Sequence, residues 1–447
     1  MPPPPPPPRP ARAVRRHRLS LQLCFAIPGL ALATWVTRTP DVRDRLGAST
    51  AEMGLVLSGM AVGSMLGILV AGALVARFAT RPVVVAGMCA VLASVAVTAL
   101  GAAAASAPLV ACGLFLIGAG MGLSEVASNV DGAVVEREYG RPVLPALHGC
   151  YSLGTVIGAV LGVAGAAAGL PVPWHLAAVL LLVTGLFGWA LPGLRPGLGR
   201  DGTQAGDGTQ AGGGDADEPR APGGRPHGSR RPYRDPKLLL IGGVVFAVTL
   251  AEGAATDWLP LLMVDGHDMP AGLGSAVYAG FAATMAVGRF AGGPVVTRLG
   301  RPAVLGGGAL LAAAGIALVS FANSPAAAGC AVLLWGLGTA LGFPLALSAA
   351  GESGPDTTAR IALTSRIGYV ALLAGPPLLG LLGERHGLRA AMVPVLLLAL
   401  TAAALSPATG PRRTPRPGGD GSPNEGQPSG ADAPADPAAR RAPDAAR

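Results

Sequence analysis

Twelve apolar runs, each about as long as a helix that crosses a bilayer, constrain this chain more than any other feature. They fall near residues 20–37, 53–76, 82–104, 107–129, 144–168, 173–191, 237–262, 272–297, 302–322, 325–349, 361–383 and 388–408. A helix rises 1.5 Å per residue and the hydrocarbon layer is about 30 Å thick, so about 20 apolar residues suffice to cross it. Composition agrees: 51% of the 447 residues are hydrophobic and 13% charged, with a mean hydropathy of +0.51, whereas a soluble domain is about a quarter charged. An all-α protein embedded in the lipid bilayer is expected. The first run follows "PRPARAVRRHR", which resembles the basic start of a signal peptide. No clear A-x-A-type site follows it and eleven more spans do, so it is read as a retained first helix.

Charge placement predicts the topology. The turns Arg77 to Arg81 and Arg298 to Arg301 are basic, whereas "AAAASAP" and "FANSP" on the other side carry no charge, the pattern expected if both termini are cytoplasmic. The loop "DGAVVEREYGR" runs against the rule, which therefore holds for the sum of the loops. The net charge of +8 comes largely from such flanks and implies no nucleic-acid partner. Residues 1–18, 193–236 and 410–447 are rich in Pro, Gly, Asp or Arg and are expected to be disordered. They bracket two six-span bundles, 19–192 and 237–409. Cys24, Cys89, Cys112, Cys150 and Cys330 all lie in apolar runs, with no C-x-x-C and no His spacing suited to zinc. No metal site is expected.

The two halves repeat each other. "GALVARFATRP" (72–82) answers "GPVVTRLGRP" (293–302), and "HGCYSLGTVIGAVLG" (148–162) answers "RIGYVALLAGPPLLG" (366–380). Trp35 answers Trp258 at an offset of 223, and Tyr151 answers Tyr369 at 218. Such a repeat implies two pseudo-symmetric six-helix bundles in parallel orientation, a transporter signature.

The loop repeat, with Gly72, Arg77 and Arg81 in one half and Gly293, Arg298 and Arg301 in the other, resembles the loop motif of the major facilitator superfamily. Twelve spans with a long central connection resemble its six-plus-six plan. More narrowly, "SEVASNVDGAVVERE", "LPALHGCYSLGT", "AEGAATDWLPLLMVDGH" and "LWGLGTALGFPLALSAA" are similar to a MosC-like bacterial inner-membrane branch. The resemblance covers about residues 19–408 and implies a rocker-switch transporter in which spans 1, 2, 4, 5, 7, 8, 10 and 11 line a central cavity. One departure stands out: the acid usual before the first loop arginine is replaced by Ala76 and Thr297.

Polar residues inside the spans point to the site. A charge at a helix centre costs roughly 2.5–3.5 kcal/mol on insertion scales, so it is expected to face the bundle interior or a watery cavity. Helical spacing puts Gly118, Gly122, Glu125 and Asn129 on one face of span 4, and His148, Tyr151, Ser152 and Thr155 on one face of span 5. Thr249, Glu252 and Thr256 share a face of span 7, Tyr278, Met285 and Arg289 one of span 8, and Arg366 and Tyr369 one of span 11. The repeat sets Gly29 against Glu252 and Leu345 against Glu125, so neither acid recurs in the other half. Candidate substrate or proton residues are thus Glu252, Glu125, Asn129, His148, Tyr151, Arg289, Arg366 and Tyr369. Glu252 can also be read as a structural ion pair with Arg289 or Arg366. Asp257, beside Trp258, and Arg38, beyond span 1, are candidate gate residues of the outer side. Gly154, Gly158 and Gly162, four apart, read as close helix packing. Pro28, Pro344, Pro376 and Pro377 are candidate bends.

No Walker A sequence occurs and Lys237 is the only lysine, which argues against direct use of ATP. A nucleophile–base pair, a metal cluster and a G-x-S-x-G elbow are also missing, so no enzyme and no cofactor are expected. The expectation is a monomeric secondary transporter of the bacterial cytoplasmic membrane. It would move a small polar organic solute by alternating access, using the proton gradient. An efflux pump for hydrophobic compounds and a non-transporting solute sensor of the same fold are the alternatives.

Overall fold

The computed structural model describes residues 12–139, 143–196, 198 and 232–410. Most of the three low-complexity segments lies outside the described residues. Their edges do not: the first helix begins at Arg12, inside the stretch expected to be disordered. Gly193 to Arg195 pack back on it, with His17 Nδ1 3.2 Å from the Gly193 carbonyl and 3.3 Å from the Arg195 amide. Arg15, Arg16 and Arg18 are therefore helical residues that extend span 1 toward water.

Twelve helices among the described residues are long and apolar enough to cross a membrane. Spans 1 to 6 are Arg12–Val36, Thr50–Phe78, Thr80–Ala103, Ala107–Glu138, Ala146–Ala167 and Val172–Gly193. Spans 7 to 12 are Pro236–His267, Ala271–Leu299, Arg301–Phe321, Pro325–Glu352, Ala359–His386 and Leu388–Thr409. Each expected run falls on one of them, and spans 4, 7 and 11 extend further because polar ends continue the helix. Local chemistry sets several starts. Ser49 and Glu52 form a capping box on span 2, while Asp235, Ser324 and Asp356 accept from the first turns of spans 7, 10 and 11.

Neighbour relations repeat between the halves. Span 1 packs on 5 and 6 as span 7 packs on 11 and 12; span 4 packs on 2 and 3 as span 10 packs on 8 and 9. The two sets meet through spans 2 and 11 and through spans 5 and 8. Even the loop backbone repeats: Gly300 sits at φ +79° and its counterpart Ala79 at φ +69°.

The glycine ladder of span 5 packs as expected. A Cβ on Gly154 would stand 2.1 Å from the Ala26 carbonyl, and one on Gly158 2.2 Å from that of Leu30, so only hydrogen lets spans 1 and 5 approach this closely. Of the candidate bends, Pro28, Pro376 and Pro377 lie inside continuous helices. Pro344 acts differently. Span 10 stops at Thr339 and restarts at Gly342, because proline removes one N–H and its ring clashes with the carbonyl four residues back, that of Ala340.

Candidate functional site

A cavity of about 1050 Å³ opens between the halves. Its wall comes from spans 1, 4, 5, 7, 8, 10 and 11, and spans 3, 6, 9 and 12 contribute nothing to it. Span 2, expected in the wall by resemblance, gives no lining residue. The lining residues lie where these helices approach the face that carries Arg12 and Gly410, among them His148 near the start of span 5, Gly293 near the end of span 8 and Ile361 near the start of span 11. The cavity therefore opens toward this terminal face.

The opposite face is shut. Ser275 Oγ donates to the Thr37 carbonyl at 2.5 Å, and the Ala51 amide donates to Glu384 at 3.3 Å. Arg43, on the short helix Thr39–Leu46, pairs with Asp265 of span 7. Spans 2 and 11 touch backbone to backbone: a Cβ on Gly54 would lie 2.7 Å from the Pro376 carbonyl and 3.2 Å from Gly380 Cα.

At the inner end of the cavity stands an ion pair. Arg289 Nη2 donates to Glu252 Oε1 at 2.9 Å, and Nη1 reaches Ser152 Oγ of the other half at 3.4 Å. Arg289 Nε points at the Ala340 carbonyl at 3.4 Å, the acceptor that Pro344 leaves without its helical partner. The break in span 10 thus helps to aim the guanidinium. Beyond the pair lies a small chamber of about 40 Å³ that shares Tyr151, Ser152, Glu252 and Arg289 with the main cavity and adds the hydroxyl-bearing Thr155, Thr256 and Tyr278. Thr256 and Thr155 donate to the carbonyls of Glu252 and Ser152, at 3.1 and 2.7 Å, which keeps their oxygen lone pairs available as acceptors.

Five of the eight candidate residues, Glu125, His148, Tyr151, Glu252 and Arg289, line the main cavity. Three do not. Asn129 is half-buried, and its Oδ1 is buried without a hydrogen-bond partner. Arg366 is exposed outside the lining, so of the two possible partners of Glu252 the structure pairs Arg289. Tyr369 is half-buried and not among the lining residues, within electrostatic reach of Glu125. Asp257 is buried, 6% exposed, and not at a mouth. Arg38 is also buried and pairs within its own half, with Asp41 at 3.0 Å and the Leu170 carbonyl at 2.6 Å. The ion pair that joins the halves on that face is Arg43 with Asp265, both of which the sequence leaves in loops.

In the loop motif, Arg301 makes two bonds to Glu352, of 2.9 and 2.7 Å, and Arg77 lies 5.2 Å over the Phe78 ring. Arg81 is half-buried and Arg298 exposed. Gly72 and Gly293 face open space.

Sequence reasoning also missed residues. Phe25, Phe290 and Phe343, three of the chain's nine phenylalanines, line the cavity; nothing in the sequence marked them. Two buried pairs, His17 with Asp131 at 3.5 Å and Arg360 with Asp235 at 2.8 Å, tie helix ends together at the terminal face. Those residues lay just outside the apolar runs. No group of three His, Cys, Asp or Glu suited to a metal occurs among the described residues.

Two sets of six membrane-spanning helices with the same neighbour scheme, around a charged cavity open to one face and sealed at the other, define a multi-pass membrane transporter. Comparison with known proteins makes the class specific. The profile of the Major Facilitator Superfamily matches residues 19–365, and the chain belongs to that family. An uncharacterized MFS-type transporter of Yersinia pestis is 30% identical over 391 residues, 87% of this chain and 94% of the relative. Membrane protein MosC of Rhizobium meliloti is 27% identical over 387 residues, 86% of this chain and 87% of that protein. Among solved structures, the nucleoside transporter NupG superposes with a TM-score of 0.67 at 12% identity, covering 88% of this chain and 98% of its own. The fucose–proton symporter FucP gives 0.58 at 18%, covering 89% and 100%. At these identities the structures speak for the fold alone.

Proposed function

We propose that the protein is a proton-coupled secondary transporter that moves a small organic solute by alternating access across the bacterial cytoplasmic membrane, acting as a monomer. The observation that carries this reading is the Arg289–Glu252 pair, set where a cavity open to one face meets a hydroxyl-lined chamber and touching Ser152 of the other half. Basic loops assign the terminal face to the cytoplasm, which makes the conformation seen here inward-open. A rocking motion that parts spans 2 and 11 while closing the terminal face would present the same pair to the other side. Protonation of Glu252 removes the charge that holds Arg289, freeing the guanidinium for solute or for the other half.

The test is counterflow and gradient-driven uptake in proteoliposomes with a panel of sugars, polyols, amino acids, nucleosides and drugs. Accumulation of one class, driven by a pH gradient and lost in Glu252→Gln with counterflow retained, is the expected result. Gradient-driven accumulation of the same size in that variant would sink the proton role. Saturable binding without any counterflow would turn the reading toward a sensor.

A further inference from the structure

Two carboxylic acids and one guanidinium line the main cavity, and only one of the acids is paired. Glu252 is matched by Arg289, and each nitrogen of Arg289 already points at a protein acceptor: Glu252, Ser152 and the Ala340 carbonyl. Glu125 has no ion pair and no hydrogen-bonding side chain among the described residues, although it faces the cavity from the middle of span 4. One guanidinium against two carboxyl groups leaves the wall with one acid that has no cation of its own. An anionic solute would find no unclaimed cation there, whereas a cationic one would find an unclaimed carboxylate.

The rest of the wall has matching chemistry. Phe25, Phe290 and Phe343 line the same cavity, with Phe25 held edge-on to His148 at 5.1 Å. Aromatic faces attract ammonium groups, the more so where water is scarce. Met121, Leu341, Leu347 and Ile361 make most of the remaining surface apolar, which suits the body of an amphiphile better than that of a sugar.

We propose that Glu125, with the phenylalanine rings that share its cavity, forms the binding site for an organic cation, an amine or quaternary ammonium of amphiphilic build. The assignment rests on the transporter reading for its purpose but not for its chemistry. A proton and the cation would compete for the same carboxylate, so one of them occupies the site at a time.

Equilibrium binding to the purified full-length protein in detergent tests this, with protein-free micelles subtracted. The probes are benzyltrimethylammonium, tetraphenylphosphonium and tetraphenylborate, the last two being alike in shape and opposite in charge. Saturable binding of the cations is expected, at least tenfold tighter than that of the borate and weakening on acidification. Glu125→Gln should lower cation affinity at least tenfold and flatten its pH dependence, while Glu125→Asp keeps part of both. Phe343→Leu, which leaves the carboxylate in place, should weaken the cations severalfold; it also serves as the second variant should Glu125→Gln not fold. Cations that bind no tighter than the borate, or that bind the Gln or Leu variant as they bind wild type, overturn the assignment. Cation binding without counterflow would refute transport alone, and counterflow of a neutral solute without cation binding would refute this site alone.

Discussion

Replacing Gly54 by alanine is expected to push the protein out of the state seen here, closed on the face opposite the termini. The added Cβ would stand 2.7 Å from the Pro376 carbonyl, with Gly380 Cα at 3.2 Å and Pro377 Cα at 3.3 Å. All three are backbone atoms, so no side chain can swing aside, and spans 2 and 11 must separate by roughly 0.7 Å to restore ordinary contact. Overpacking of this kind costs about 1–3 kcal/mol. Under the alternating access proposed above the contact exists only while this face is shut, so that cost falls on one conformation and is expected to shift the balance toward the other by about 5- to 150-fold. Gly54→Leu should shift it further. Spin labels on Arg45→Cys and Gly272→Cys, on either side of the closed face, would report the change as a longer distance population in pulsed electron resonance. Gly188→Ala, where nothing lies within 4 Å, serves as the silent comparison. An unchanged distance distribution in both Gly54 variants, with the fold intact, would refute the argument that this backbone contact seals the opposite face.

Other consequences follow from the same geometry. Asp265→Asn removes the ion pair with Arg43, whose side chains are 17% and 30% exposed; an effect below about 1 kcal/mol on the label distances, shrinking with added salt, is expected. Arg360→Ala removes the cation paired with Asp235, whose side chain is 8% exposed, and should cost about 3 kcal/mol in detergent unfolding, with the Asp235→Asn/Arg360→Ala double variant less affected than the sum. Ala79→Gly relieves a backbone at φ +69° and ψ 171°, a region that is nearly glycine-only, and should stabilise the protein by about 1 kcal/mol, read as a higher melting temperature. Pro344→Ala restores an N–H able to claim the Ala340 carbonyl, which should loosen Arg289 and lower solute affinity in a binding titration while leaving the melting temperature unchanged or raised.

Much of the site was legible because charge inside an apolar run is costly and therefore informative. Glu125, His148, Tyr151, Glu252 and Arg289 stood out for that reason and all face one cavity. Asn129, Arg366 and Tyr369 carried the same signal yet lie off its lining, since spacing along one helix gives a shared face but not which neighbour that face meets. Phenylalanines gave no signal at all: Phe25, Phe290 and Phe343 are as much at home against lipid as in a cavity wall. The pairs His17–Asp131, Arg43–Asp265 and Arg360–Asp235 join positions far apart in the chain, and each partner taken alone reads as an ordinary flanking charge.

The number of spans, the parallel repeat of two six-helix sets and the glycine seam of span 5 are properties of the sequence itself. Length, hydropathy and small residues at a four-residue spacing act within one helix or recur at a fixed offset, so no third dimension is needed to read them. Which face is shut, which arginine holds Glu252 and that Glu125 is left unmatched were decided only by the fold. These depend on how two bundles meet, and a contact such as Gly54 against Pro376, or Arg289 against both Glu252 and the carbonyl freed by Pro344, exists only once that meeting has taken place.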